Sequence, residues 1–165
     1  MTAVRVHVSV GSNEEPRLHI PRGLAALERT VGPLLRSPVY RNPAVGFAGE
    51  DFFNLVVSFE TILPLDEIAQ CLRDIERTEG RTRGEARFAP RTLDLDVLTY
   101  GTACIETERL RLPRADILEY AFVLKPLADN APDEAHPVLG QSYATLWAAF
   151  DKSGLVLDPA PDFPT

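Results

Sequence analysis

The 165-residue chain predicts an α+β fold, a ferredoxin-like β-α-β-β-α-β sandwich with C-terminal additions. Four extended stretches and two segments of helical apolar spacing follow one another in that order. Glycine, proline and asparagine punctuate the boundaries between them.

Residues 4–10 alternate, with Val4, Val6, Val8 and Val10 on one face and Arg5, His7 and Ser9 on the other. That is a strand with one face in the core. Gly11-Ser12-Asn13 ends it, and Pro16 sits where a helix can begin. Ile20, Leu24, Leu27 and Val31 then recur at helical spacing, with Pro21 putting the regular part of the helix after it. Gly32-Pro33 stops this helix, and residues 34–41 read as the second strand. A loop from Asn42-Pro43 to Gly49 follows. Phe53, Leu55, Val57 and Phe59 alternate with Asn54, Val56, Ser58 and Glu60 as the third strand. Pro64 suits the first turn of a second helix and Gly80 its C-terminal cap, with Leu65, Ile68, Leu72 and Ile75 as the apolar stripe. An arginine-rich loop over 81–91 leads into a fourth strand, 92–100. In this scheme the helices cover one sheet face. An apolar segment at 122–128 and a helix at 143–150 are added, and the tail from Asp158, with three prolines, is expected to be irregular.

The length fits about one domain with a single core, so residues 1–165 are read as one domain. Apolar residues make up 45% and charged residues 25%, ordinary for a soluble protein. No run approaches a membrane span, and the N-terminus carries no signal pattern, so the expectation is a cytoplasmic protein without a membrane partner. Cys71 and Cys104 have no metal-ligand spacing and read as small buried hydrophobes. His7, His19 and His136 lie far apart and form no zinc pattern. The net charge of −7 argues against nucleic acid, which needs a basic field to displace counterions. Yet 15 of the 17 basic residues are arginine, and six of those fall between Arg73 and Arg91. Such a cluster in an acidic chain points to a local anion site.

The strongest local signal is Arg87-Phe88-Ala89-Pro90-Arg91-Thr92-Leu93-Asp94-Leu95-Asp96-Val97. Strand residues two apart point the same way, about 6.6 Å along the chain, so Asp94 and Asp96 share a face while Leu93, Leu95 and Val97 enter the core. Adjacent carboxylates repel unless a cation lies between them, and magnesium is commonly held by one or two carboxylates plus substrate phosphates. Upstream arginines could meet phosphate oxygens, and phosphoryl transfer needs mainly positioning and charge neutralisation. A solvent-facing strand beside a surface loop accounts for the same spacing equally well. Glu76 continues the apolar stripe of the second helix, where a carboxylate needs a partner, a ligand or a frayed helix end open to water. Phe52 could stack on a flat heteroaromatic ring that Asn54 hydrogen-bonds, although core and turn roles also fit them. No G-x-x-x-x-G-K-[ST] loop exists, so any ATP site is not a P-loop.

These residues resemble the 6-hydroxymethyl-7,8-dihydropterin pyrophosphokinase family of the folate pathway. The resemblance runs from about residue 4 to about 140 through motifs in the family's order. They are Val10-Gly11-Ser12-Asn13, Tyr40-Arg41-Asn42-Pro43, Phe53-Asn54, Ile75-Glu76 with Gly80-Arg81, and residues 87–96. It implies the ferredoxin-like fold, two magnesium ions, ATP as co-substrate, and attack of the pterin hydroxymethyl oxygen on the β-phosphorus with release of AMP. It further implies Asp94 and Asp96 as metal ligands and Arg81 and Arg91 as the arginines steadying the triphosphate, with Arg83 and Arg87 as lesser candidates. Glu76 matches an acidic position on the nucleotide side. Asn54 looks like the pterin-reading amide, Phe52 and Phe122 like the aromatic faces, and Asn42 and Val45 like backbone contacts to the ring. A monomer is expected.

The departures cluster. Arg114-Ala115 follows Leu112-Pro113 where the family commonly has a histidine, Tyr120 stands where an arginine usually precedes Ala121-Phe122-Val123-Leu124, and Phe88 replaces a common tryptophan. Arg114 keeps a positive charge facing ATP, with Arg109 and Arg111 nearby, whereas Tyr120 supplies none. One lost charged contact costs ~1.5–3 kcal/mol, roughly ten- to a hundredfold in rate or affinity. Two alternatives stand beside the pyrophosphokinase. One is a divergent relative using another hydroxymethyl-pterin or nucleotide; the other is a non-catalytic ferredoxin-like binding module.

Overall fold

In chain order the elements are β1 (Val4–Ser12), α1 (Pro16–Val31), β2 (Leu35–Arg36), β3 (Tyr40–Asn42), β4 (Phe52–Thr61), α2 (Leu65–Thr78) and β5 (Asp94–Tyr100). After these come β6 (Ile105–Glu106), β7 (Arg111–Leu112), α3 (Asp116–Glu119), α4 (Ala121–Asn130), α5 (Tyr143–Ala149) and β8 (Asp158–Pro159). The computed structural model describes residues 2–44, 49–80 and 92–165. The main sheet has the order β5-β1-β4-β3-β8, with β2 also on β4, and its pairings are antiparallel. β6 and β7 form a separate two-stranded ribbon.

Alternation in β1, β4 and β5 sends two sets of side chains to two cores. Val6, Val8, Val10, Leu55, Val57, Phe59, Leu95 and Val97 pack with Ile20, Leu24 and Leu27 of α1 and Ile68, Leu72 and Ile75 of α2. Gly23 lets α1 approach closely, because a Cβ there would lie 2.4 Å from Leu93 Cδ2. The expectation that helices cover one face is corrected by the second core. There Val56 and Leu98 meet Ile117 of α3, Val123, Leu124 and Leu127 of α4, and Tyr143 of α5. His7, on the polar side of the alternation, is therefore fully buried; its ring nitrogens lie 2.6 Å from Ser58 Oγ and 2.8 Å from Glu134 Oε2.

Several boundaries differ from the sequence expectation. β1 runs two residues further than expected, through Gly11 to Ser12, because both positions find partners on β4. α1 begins at Pro16 and includes Pro21; only the first turn precedes it, so one missing backbone donor is tolerated. The strand expected over 34–41 is split into β2 and β3 around Ser37-Pro38, where Ser37 Oγ accepts the Val56 N–H at 2.9 Å and Pro38 has no N–H to give. Cys104 is exposed rather than a buried hydrophobe, while Cys71 packs half-buried on the first core. The tail is not irregular throughout: β8 pairs with β3, and Phe163 is buried in the first core. No helix among the described residues is long and apolar enough to cross a membrane.

Candidate active site

The register of the sheet assembles the site. Gly11 on β1 faces Asp94 on β5 and Asn54 on β4, and Ser9 faces Asp96 and Val56. One strand further, Asn54 faces Tyr40 and Phe52 faces Asn42. Directly opposed residues share a face, so carboxylates, amides and an aromatic ring form one surface across four strands. Asp94 and Asp96 are partly buried on that surface, opposite the core-facing Leu95 and Val97, as the D-x-D spacing predicts.

Gly11 is the floor between the two halves. A Cβ at this position would lie 2.7 Å from Asn54 Oδ1 and 3.9 Å from Phe52 Cδ1. The buried Asn54 side chain thus lies across the β1 backbone, and its Nδ2 donates to Asn42 Oδ1. Asn42 Nδ2 in turn donates to the Pro43 carbonyl at 3.0 Å. Behind them the Tyr40 hydroxyl donates to Asp129 of α4, whose other oxygen lies 2.7 Å from Lys125 Nζ. Burial first, and then the Asp129 carboxylate, hold the Tyr40 hydroxyl far above the usual phenol range.

On the carboxylate side, Glu76 is buried at the end of α2, and its Oε2 accepts the Leu95 N–H at 2.9 Å. Leu95 lies between the two aspartates on β5, whose outer edge has no neighbouring strand within the described sheet. Glu76 therefore ties the edge that presents Asp94 and Asp96. Arg114 Nη2 lies 3.7 Å from Asp96 Oδ2, and its Nε 3.3 Å from Asp116 Oδ2. Burial alone lowers the Arg114 pKa, but Asp96, Asp116 and Asp94 outweigh it, so the group is held above its ordinary range. The donor set is hard and anionic, with a cation already drawn to it. Among the described residues no group of three or more His, Cys, Asp or Glu side chains that could hold a metal ion forms.

The other predicted positions separate. Phe122 stacks on Tyr120 with centroids 5.0 Å apart, and both line a cavity of about 370 Å³ with Asn42. Tyr120 thus lies beside Phe122 on this cavity. Arg111 borders another cavity with Arg114, and Arg109 is exposed on the turn before β7. Arg81, Arg83, Arg87, Arg91 and Val45 lie outside the described residues. Sequence reasoning missed Gly11, read as a strand end; a glycine inside an alternating strand is itself a mark of close approach. It also missed the Tyr40–Asp129 contact, which no local pattern announces.

Comparison with known proteins bears on the family of the chain. The family model for 7,8-dihydro-6-hydroxymethylpterin-pyrophosphokinase (HPPK) matches residues 7–132. A 2-amino-4-hydroxy-6-hydroxymethyldihydropteridine pyrophosphokinase of Pseudomonas aeruginosa is 41% identical over 155 residues, covering 92% of this chain and 94% of its own. A like-named protein of Methylorubrum extorquens is 36% identical, covering 92% and 96%. Among solved structures, an HPPK-DHPS in complex with substrates superposes with a TM-score of 0.70 at 12% identity, over 93% of this chain and 44% of that one. A triple mutant of Plasmodium falciparum HPPK-DHPS with pteroate gives 0.69 at 13% identity, over 88% and 43%. The chain spans less than half of those solved chains, and at such identity they speak for the fold alone. With the family model matching residues 7–132 and the Pseudomonas aeruginosa protein 41% identical over 92% of the chain, the chain belongs to the 7,8-dihydro-6-hydroxymethylpterin-pyrophosphokinase family.

Proposed function

We propose that this chain transfers the pyrophosphoryl group of ATP to the hydroxymethyl oxygen of 6-hydroxymethyl-7,8-dihydropterin, releasing AMP, in folate biosynthesis. The observation that supports it is the register that puts Asp94 opposite Gly11 and Gly11 opposite Asn54, with Asp96 opposite Ser9, so that two carboxylates and a buried amide share one sheet face. The strand order β5-β1-β4-β3, with α1 and α2 on one face, supports a ferredoxin-like sandwich, and residues 1–165 are taken as one domain.

Asp94 and Asp96 are the residues that would hold magnesium, two ions by family resemblance, and their hard oxygens suit it. When bound, magnesium supplies charge neutralisation to the triphosphate. Asn54, held by Asn42, hydrogen-bonds the pterin edge, and Phe52 and Phe122 offer it their ring faces. With the ring so oriented, the hydroxymethyl oxygen gives up its proton to solvent and attacks the β-phosphorus; the bond from that phosphorus to the α,β-bridging oxygen breaks, and AMP leaves with that oxygen and the electron pair. Arg114 keeps a guanidinium beside Asp96, where it offsets negative charge on the nucleotide side. Arg81 and Arg91, with Arg83 and Arg87, are assigned by resemblance to the triphosphate. The enzyme is read as cytoplasmic and monomeric.

AMP release from ATP and magnesium, with and without the dihydropterin, tests the proposal. Pterin-dependent AMP is the expected result. A folded protein releasing none would overturn it and favour a relative with another substrate, an idea that rests on Tyr120 and Arg114.

A further inference from the structure

The family-model match ends at residue 132, yet the chain beyond it returns to the ring side of the site. After α5, Lys152 Nζ reaches the Trp147 carbonyl at 2.6 Å and the Phe150 carbonyl at 3.2 Å, closing the helix end. Gly154, at φ 67°, turns the chain, and the Leu155 N–H donates to the Lys152 carbonyl at 3.1 Å. Segment 150–157 then forms one wall of the 370 Å³ cavity whose other wall holds Asn42, Tyr120 and Phe122. Leu155 and Val156 are 39% and 51% exposed, so two apolar side chains stand at this cavity without being buried in the core.

The same segment is fastened to the strand that carries Asn42. β8 pairs with β3, Arg41 opposite Asp158 and Tyr40 opposite Pro159, and the Ala160 N–H donates to the Val39 carbonyl at 2.8 Å. Beyond it the chain passes to the α1 face of the sheet. There Phe163 is buried against Phe53 with centroids 4.8 Å apart, and the Arg17 guanidinium stands 5.0 Å from the Phe163 ring. Without β8, the three-residue β3 would be an edge strand, its far backbone groups open to water. Pairing with β8 gives β3 a second strand neighbour beside β4, directly before the Asn42 whose amide meets Asn54.

We propose that residues 150–163 are a positioning element of the pterin site: β8 and Phe163 hold β3 and hence Asn42, while Leu155 and Val156 form an apolar wall that selects a flat ring. This rests on the reaction proposed above. The segment's contacts run to β3, Phe53 and the cavity beside Asn42 and Phe122, so its effect falls on the pterin rather than on ATP.

Three variants of the chain test it. Leu155→Ser combined with Val156→Ser alters only exposed side chains, so the fold survives. Phe163→Ala loosens the anchor, and Phe163→Leu restores apolar volume there. The expected result is a KM for the dihydropterin raised about five- to twentyfold in the double variant and in Phe163→Ala. The KM for ATP stays unchanged, and Phe163→Leu recovers most of the loss. Unchanged pterin KM in the double variant and in Phe163→Ala overturns the inference, as does an equal rise for both substrates, which marks general loosening. Wild-type protein that releases no pterin-dependent AMP overturns the reaction itself, and this inference with it; active wild type with indifferent variants overturns the inference alone.

Discussion

Gly11 and Asp96 sit on adjacent strands but do different work, and substitution separates them. Gly11→Ala puts a methyl 2.7 Å from Asn54 Oδ1, so the amide must rotate away from its bond to Asn42. Losing one hydrogen bond of about 0.5–1.5 kcal/mol raises the pterin KM roughly two- to tenfold, with the ATP KM unchanged. Steady-state kinetics with each substrate varied in turn checks this, and an equal change in both would contradict it. Asp96→Asn keeps shape and removes charge. The Asp96–Arg114 pair is 3.7 Å apart with both side chains 30% exposed, so its loss costs at most about 1 kcal/mol of stability. Turnover, in contrast, falls by about a hundredfold or more if Asp96 carries the metal. Preserved turnover in a folded Asp96→Asn protein would refute the metal assignment.

The joint between α2 and β5 makes its own prediction. Glu76 accepts the N–H of Leu95 on the outer edge of β5, in a buried setting. Glu76→Ala leaves that donor without this partner at a cost of about 1–3 kcal/mol, lowering the melting temperature by roughly 2–10 °C. Glu76→Gln keeps an acceptor oxygen and should retain most of the stability; thermal denaturation of both proteins checks it, and equal losses would mean that the charge matters instead. The inward position of Glu76 is legible in the sequence, because apolar spacing along α2 predicts its direction. Strand alternation likewise predicts that Asp94 and Asp96 share a face. Which strands become neighbours is legible only through the element order, so the meeting of Asp94, Gly11 and Asn54 is not. Period-two patterning also says nothing about a second helical layer, and His7 and Ser9 read as an outward face although α4 and α5 cover it. The pairing of the tail is hidden for a related reason. Its prolines forbid a long strand, yet two residues suffice to pair with β3 when Phe163 anchors the end of the chain.

His136 couples the stability of the molecule to pH. It is buried beside Tyr143, ring centroids 6.4 Å apart, and Tyr143 also meets His7 at the same separation. The fold thus brings together two histidines that lie far apart in sequence, around an aromatic ring. His136 Nδ1 accepts the N–H groups of Val138 and Leu139 at 3.2 and 3.1 Å, so this nitrogen must be unprotonated for the turn to form. Burial lowers its pKa from the ordinary 6.5. The unfolded chain therefore binds a proton that the folded protein resists. The contribution to stability is fully present above about pH 6.5 and is lost as the pH falls from there toward the lowered folded value. His136→Asn retains an acceptor near the Nδ1 position but cannot titrate. The melting temperature of the wild type should fall more steeply than that of His136→Asn between pH 7.5 and 5, and comparing the two proteins cancels what other groups contribute. Parallel curves would mean that His136 takes up its proton without disturbing the turn, so the buried Nδ1 would not be the acceptor on which residues 136–140 depend.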